Sequence, residues 1–292
     1  MWPFNPAWNS EDKKKAIRAV QKLNGSQAKL ALVAKEARCL EARKVAVKKL
    51  TNQIVLADIA KKGEYRDVRK AAVEKLTSQN LLADIAKNDE DSHVRGAAVK
   101  KLTDQNLLAD VVKSDTDFYT RQAAFDKLTD QNLLADFAKN HRNLDIRLAA
   151  AKKLTNQNLA QKIYVEIIAQ NHKQEDWFKA AVCLRAAENL ADQELAQKVY
   201  IDIAQDDKHL ADRLRAAGKL ANQNLAQGIY ADIAVNDNDN KWDEEYRKNA
   251  IEKLTNPKLL AYVAKNATNS RMRKAAAQKL TDPNLLASVA KH

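Results

Sequence analysis

Glycine and proline are scarce in this chain, 5 and 4 among 292 residues, and aromatics make up only 5%. Turn-rich β architectures draw on glycine and proline. Their shortage beside abundant alanine, leucine and lysine describes an all-helical protein. Cysteine is nearly absent too. Cys39 and Cys183 lie far apart in amphipathic helical sequence, which excludes a disulfide framework and suits two small buried hydrophobes. A reducing, cytoplasmic setting is expected. No apolar run approaches the ~18 residues of a membrane span, and the start, MWPFNPAWNSEDKKK, lacks the basic-then-apolar order of a secretory signal. No membrane partner is expected. Blocks of five or more like charges are missing as well, so a charged disordered tail is excluded.

What is present is a repeat. VRKAAVEKLTSQNLLADIAKND, from Val68, returns as VRGAAVKKLTDQNLLADVVKSD from Val94, then loosened from Thr120 and Ile146. One leucine marks each unit: Leu23, Leu50, Leu76, Leu102, Leu128, Leu154, Leu190, Leu220, Leu254 and Leu280. The spacing is 27, then 26 four times, then 36, 30, 34 and 26. A short fixed period means a solenoid, in which each repeat buries its apolar face only by stacking on neighbours. The length alone would allow two ordinary domains, but the period predicts a single α-solenoid domain over 1–292. Its expected parts are an aromatic N-terminal cap (1–9, with Trp2, Phe4 and Trp8), regular repeats (10–154), repeats with longer first helices and loops (155–254), and regular C-terminal repeats (255–292).

Each repeat reads as two helices. Stepping about 100° per residue from Leu102 puts Ala98, Val99 and Val94 on one face, leans Arg95 inward at about 20°, and turns Lys100 away. The next helix starts after Asp104, a good N-cap, and carries Leu107, Leu108 and Val111 on one face. Pro257 and Pro283 mark the same start, because a first helical turn has no hydrogen bond there for proline to break.

LLADIAKNDEDSHVRGAAVKKL resembles the HEAT repeat: a leucine-rich first helix, an acidic turn, then V-R-x-A-A opening the second. Asp89 and Asp91 precede Arg95, as Asp115 and Asp117 precede Arg121. The 26-residue period is also similar to that of the bacterial leucine-rich repeat variant. The likeness runs from about Ser10 to the end. It implies a right-handed armadillo-type superhelix of about ten helix pairs. Its functions are various: scaffolds, transport receptors, lyases, chaperones for cofactor-bearing proteins and one class of DNA glycosylase.

Three repeats break the rhythm. LAQKIYVEIIAQN, LAQKVYIDIAQD and LAQGIYADIAVN each gain four residues, about one helical turn, and align Tyr164, Tyr200 and Tyr230. Trp177 and Trp242 fall 13 and 12 residues before their marker leucines. These aromatics either cover the extra turns or form a specialised binding edge.

Repetition also makes rows. Lysine precedes the marker leucine in nine of ten units, as Lys22, Lys49, Lys75, Lys101, Lys127, Lys153, Lys219, Lys253 and Lys279. The row either offsets helix C-termini or tracks a phosphate backbone. The net charge of +12 and pI near 9.5 permit an anionic partner without requiring one. Arginine stands seven residues before the marker in eight units, as Arg43, Arg69, Arg95, Arg121, Arg147, Arg213, Arg247 and Arg273. These read as a structural ladder, with Asp58, Asp84, Asp110, Asp136, Glu166, Asp202 and Asp232 as partners.

Little in the sequence points to catalysis or metal binding. His93, His141, His172 and His209 sit in or beside turns without metal-ligand spacing. Asp237 and Asp239 begin an EF-hand-like run, but Trp242 and Lys248 replace its required glycine and glutamate. Glu175, Asp176, Asp243 and Glu244 form carboxylate pairs near tryptophan, with no clear reaction. No metal, cofactor or catalytic residue is expected. The expected function is a non-enzymatic scaffold, monomeric, binding a protein partner on a concave face. Candidate contacts are Trp177, Trp242, Tyr164, Tyr200, Tyr230, Lys49, Lys75, Lys101, Lys127 and Lys153. The alternative is DNA or RNA backbone binding through the lysines, as in a glycosylase-like HEAT protein.

Overall fold

A computed structural model describes residues 6–23, 25–171, 177–206, 209–235 and 243–291. The architecture is all-helical. Twenty α-helices follow a short 3-10 helix at Ala7–Asn9, and no strand occurs among the described residues. The chain divides into two compact units, residues 1–133 and 134–292.

Among the described residues, only the 3-10 helix precedes α1 (Lys13–Gln21). Then come α2 (Gln27–Glu36) with α3 (Leu40–Lys49), α4 (Gln53–Lys62) with α5 (Arg66–Val73), α6 (Gln79–Asn88) with α7 (Ser92–Lys101), and α8 (Gln105–Ser114) with α9 (Phe118–Asp126). α10 (Gln131–Asn140) and α11 (Leu144–Lys153) continue the alternation. The longer repeats are α12 (Gln157–Asn171) with α13 (Trp177–Ala187), α14 (Gln193–Asp206) with α15 (Leu210–Ala217), and α16 (Gln223–Val235) with α17 (Asp243–Lys253). α18 (Pro257–Asn266) with α19 (Ser270–Lys279) and a single α20 (Pro283–Ala290) close the chain. The twenty helices of the described residues match the expected number of about ten pairs, with α1 in the place of a second helix and α20 in that of a first.

The sequence sets these boundaries. Asp104 accepts from the Asn106 and Leu107 N–H groups at the start of α8, while Asn256 and Asp282 cap helices that open with Pro257 and Pro283. These caps satisfy backbone donors that have no partner inside the helix. Second helices stack on second helices, α3 on α5 and α5 on α7, and α15 on α17 and α17 on α19. Every marker leucine from Leu50 onward is buried, at 5% exposure or less. Leu23, in the terminal repeat, is only half-buried. There the 3-10 helix packs on α1 and α2, holding Trp8 half-buried. Asn9 Oδ1 accepts from the Arg38 N–H at 3.0 Å, which ties this segment to the turn between α2 and α3. The cap partners Trp2 and Phe4 lie outside the described residues.

The extra turn of the long repeats sits at the N-terminal end of the first helix. α12, α14 and α16 have 15, 14 and 13 residues against 10 in α6 or α8. Counted from the following turn, Tyr164, Tyr200 and Tyr230 occupy the core place of Leu82 and Leu108. They are buried, at 4–6% exposure, and burial raises all three phenol pKa values. Cys183 takes the arginine place in α13. It is fully buried, and its thiol is pushed up to about 12 by burial.

Candidate functional site

The lysine row is the first candidate, and the structure gives its ammonium groups internal partners. Lys75 Nζ donates to the Lys48 carbonyl, and Lys101 Nζ to the Glu74 carbonyl at 2.6 Å. Lys127 Nζ reaches the Val99 and Lys100 carbonyls, and Lys279 Nζ those of Ile251 and Glu252. Lys49 Nζ lies 2.7 Å from the Gln21 carbonyl. Each lysine therefore caps the second helix of the repeat before it. The expectation that each offsets its own helix end is corrected: the charge meets the negative end of the neighbouring helix, where free carbonyls are exposed. Burial pulls the Lys127 ammonium below the usual lysine value. Lys219 pairs with Glu188 at 3.5 Å, and Lys153 is half-exposed in the last turn of α11.

A glutamine row joins the same edges. Gln79 at the start of α6 accepts from Thr103 N at 2.7 Å and donates through Nε2 to the Lys101 carbonyl at 3.2 Å. Gln53 and Gln105 make the same bridges to Thr77 and Lys75, and to Thr129 and Lys127. In the long repeats Gln161, Gln197 and Gln227, one turn later, take over this place. Sequence reasoning missed this row. Its signal was a glutamine at a fixed distance after the marker leucine, the position that proline occupies in two repeats.

Arg69 and Arg95 of the arginine row hold carboxylates other than those expected. Arg69 holds Asp89 through Nε at 2.9 Å and Nη2 at 3.1 Å, and Arg95 holds Asp115 at 2.9 and 3.2 Å. The acids come from the turn of the next repeat. Of the first-helix acids, Asp232 meets an arginine, Arg213. Asp58 and Asp84 instead pair with Lys35 and Lys61 of the preceding first helix, which hold both carboxyls below the usual range. Arg121 and Arg273 donate to the main-chain oxygens of Asp115 and Ala267, and Arg147 to the Ala138 carbonyl and to Gln170 Oε1. Arg247 is buried at 3% exposure.

The third candidate set divides. Tyr164, Tyr200 and Tyr230 fill the core and offer no docking surface in this conformation. Trp177 begins α13, its side chain outside the described residues, as is Trp242. Asp237, Asp239, His172, Glu175 and Asp176 lie outside them too, and Glu244 pairs with Arg271 at 2.9 Å. Among the described residues, no cluster of three or more histidines, cysteines or carboxylates could hold a metal ion, and no helix is long and apolar enough to cross a membrane.

Two surface features were not anticipated. Phe118 and Tyr119 open α9 at 60% and 80% exposure, edge to face, with ring centroids 5.6 Å apart. The matching residues of the repeats before are Ser92 and His93, and Arg66 and Asp67. The second feature is a cleft of about 430 Å³ beside Arg43, lined by residues of α2 to α5. No family model matches the chain, and no curated protein matches it.

Proposed function

We propose that this chain is a non-enzymatic, HEAT-like scaffold of the cytoplasm that binds a protein partner along the exposed side of its second helices. The observation that carries this reading is the Phe118–Tyr119 pair. Two adjacent aromatics in water lose the burial that stabilises such rings elsewhere, and exposed aromatics are the residues that anchor protein interfaces. Salt bridges of both signs run between second helices in the same compact unit, Lys44–Asp67 at 3.9 Å and Arg66–Asp91 at 3.4 Å. A mixed-charge surface of this kind suits a protein rim better than a polyanion.

Nucleic-acid binding through the lysine row has less support, because phosphates would compete with the helix-end carbonyls for the same ammonium groups. The deciding experiment compares the wild-type chain with a Phe118→Ser/Tyr119→Ser double variant in capture from source lysate, with and without nuclease. The scaffold reading expects proteins retained after nuclease and lost by the double variant, at unchanged thermal stability. Capture that disappears with nuclease, falls steeply with salt and ignores both substitutions would establish the polyanion reading instead.

A further inference from the structure

We infer that the cleft beside Arg43 is a binding site for a carboxylate carried on a short aliphatic stem. The inference goes beyond the scaffold reading and does not depend on Phe118 or Tyr119. It starts from the repeat itself, which provides an internal template. Where a first helix ends, Asp89 and Asp115 supply the carboxylates that Arg69 and Arg95 grip. At the same position facing Arg43 stands Gly63. The one carboxylate within 4 Å of Arg43 among the described residues is Glu64, at 3.8 Å and with a side chain 70% exposed.

The hydrogen bonds that hold the guanidinium go to carbonyls. Nε donates to the Ala37 carbonyl and Nη1 to the Lys35 carbonyl at 2.6 Å. The Tyr65 ring lies 4.8 Å from the guanidinium carbon, a cation–π contact that fixes its plane. Nη2 is left without a partner among the described residues, on a side chain only 11% exposed. A buried guanidinium gains most from a carboxylate matched to its fork.

The cleft has the chemistry to take one. Ala34, Ile59 and Val68 supply apolar wall, and Lys35, Arg43 and Lys62 outnumber Asp58 and Glu64. Asp58 is already engaged, at 2.5 Å from Lys35 and 3.3 Å from Lys62. A Cβ on Gly63 would stand 2.6 Å from the Ile59 carbonyl oxygen and 3.1 Å from Arg69 Cγ. The volume falls in the range of small-ligand sites. A glutamate side chain of a partner and a free branched carboxylic acid present the same chemistry.

The test is NMR titration of the full chain with 4-methylpentanoate, its neutral amide, and the capped peptide acetyl-Ala-Glu-Ala-amide. The expected result is saturable shifts of the Gly63 amide, the Ile59 and Val68 methyls and the Arg43 Nε–H, produced by the acid or the peptide. The Nε–H signals of Arg69 and Arg95, already paired, stay still. Whichever of the two carboxylates saturates at lower concentration identifies the source. Lys62→Glu, at an exposed position, lowers the affinity several-fold while leaving the melting temperature in place. If the amide shifts the same signals as the acid, if Arg69 and Arg95 move as much as Arg43, or if neither carboxylate gives a saturable change, the site does not exist.

Discussion

Arg95 reaches forward across one repeat and grips Asp115 with two hydrogen bonds, of 2.9 and 3.2 Å, while its Nη1 donates to the Asp89 carbonyl of its own repeat. The side chains are 11% and 2% exposed. One guanidinium thus joins the turn of its own repeat, at Asp89, to the matching turn of the next, at Asp115. Removing one member leaves a buried charge without compensation. Arg95→Ala should lower stability by about 3 kcal/mol, whereas Lys100→Ala, on an exposed side chain of the same helix, should change it by less than about 0.5 kcal/mol. Urea titration of the two variants checks the contrast. Equal, small losses would mean that the ladder holds nothing together.

The glutamine row carries the second prediction. Gln79→Ala deletes an acceptor from the Thr103 N–H and a donor to the Lys101 carbonyl. Two modest bonds correspond to about 1–2 kcal/mol. Asn80 on the same helix is exposed, and its replacement by alanine should be close to neutral. Native-state hydrogen exchange gives a sharper reading: the Thr103 amide should exchange faster in the glutamine variant and be unchanged in the other.

The third prediction concerns alkaline pH. Burial raises the pKa of Tyr164, Tyr200 and Tyr230 in the folded state. The neutral phenol is therefore favoured by folding. Its contribution is fully present below the unfolded value of about 10 and is lost as pH rises through the folded values. Of the phenolate absorbance of seven tyrosines, the share of these three should emerge only together with loss of helical ellipticity. A Tyr200→Phe variant should keep its helix to higher pH. Full ionisation of all seven with the circular dichroism intact would contradict the burial described above.

Much of this molecule was legible in its sequence, for definite reasons. The marker leucines, the N-caps Asp104 and Asn256, and the prolines at Pro257 and Pro283 act within a turn or two of themselves, so linear spacing alone fixes the helices. The inward lean of Arg95 and the outward turn of Lys100 follow from the helical period. Repetition at 26 residues carries these local rules along the chain, because each repeat meets a near copy of itself.

What spacing cannot contain is which groups of adjacent repeats come within hydrogen-bond distance. Helix stacking alone decided that Lys101 caps the end of the preceding second helix, that Gln79 bridges to Thr103, and that Arg69 and Arg95 take acids from the next turn rather than from the first helices. Burial is collective in the same way: alignment of Tyr164, Tyr200 and Tyr230 allows either a cover for the extra turns or a binding edge, and packing places them in the core, where Leu82 and Leu108 stand elsewhere. Gly63 is one small residue in the sequence. Only the fold sets it opposite Arg43, because a missing carboxylate becomes a cleft only where three-dimensional packing has brought its partner.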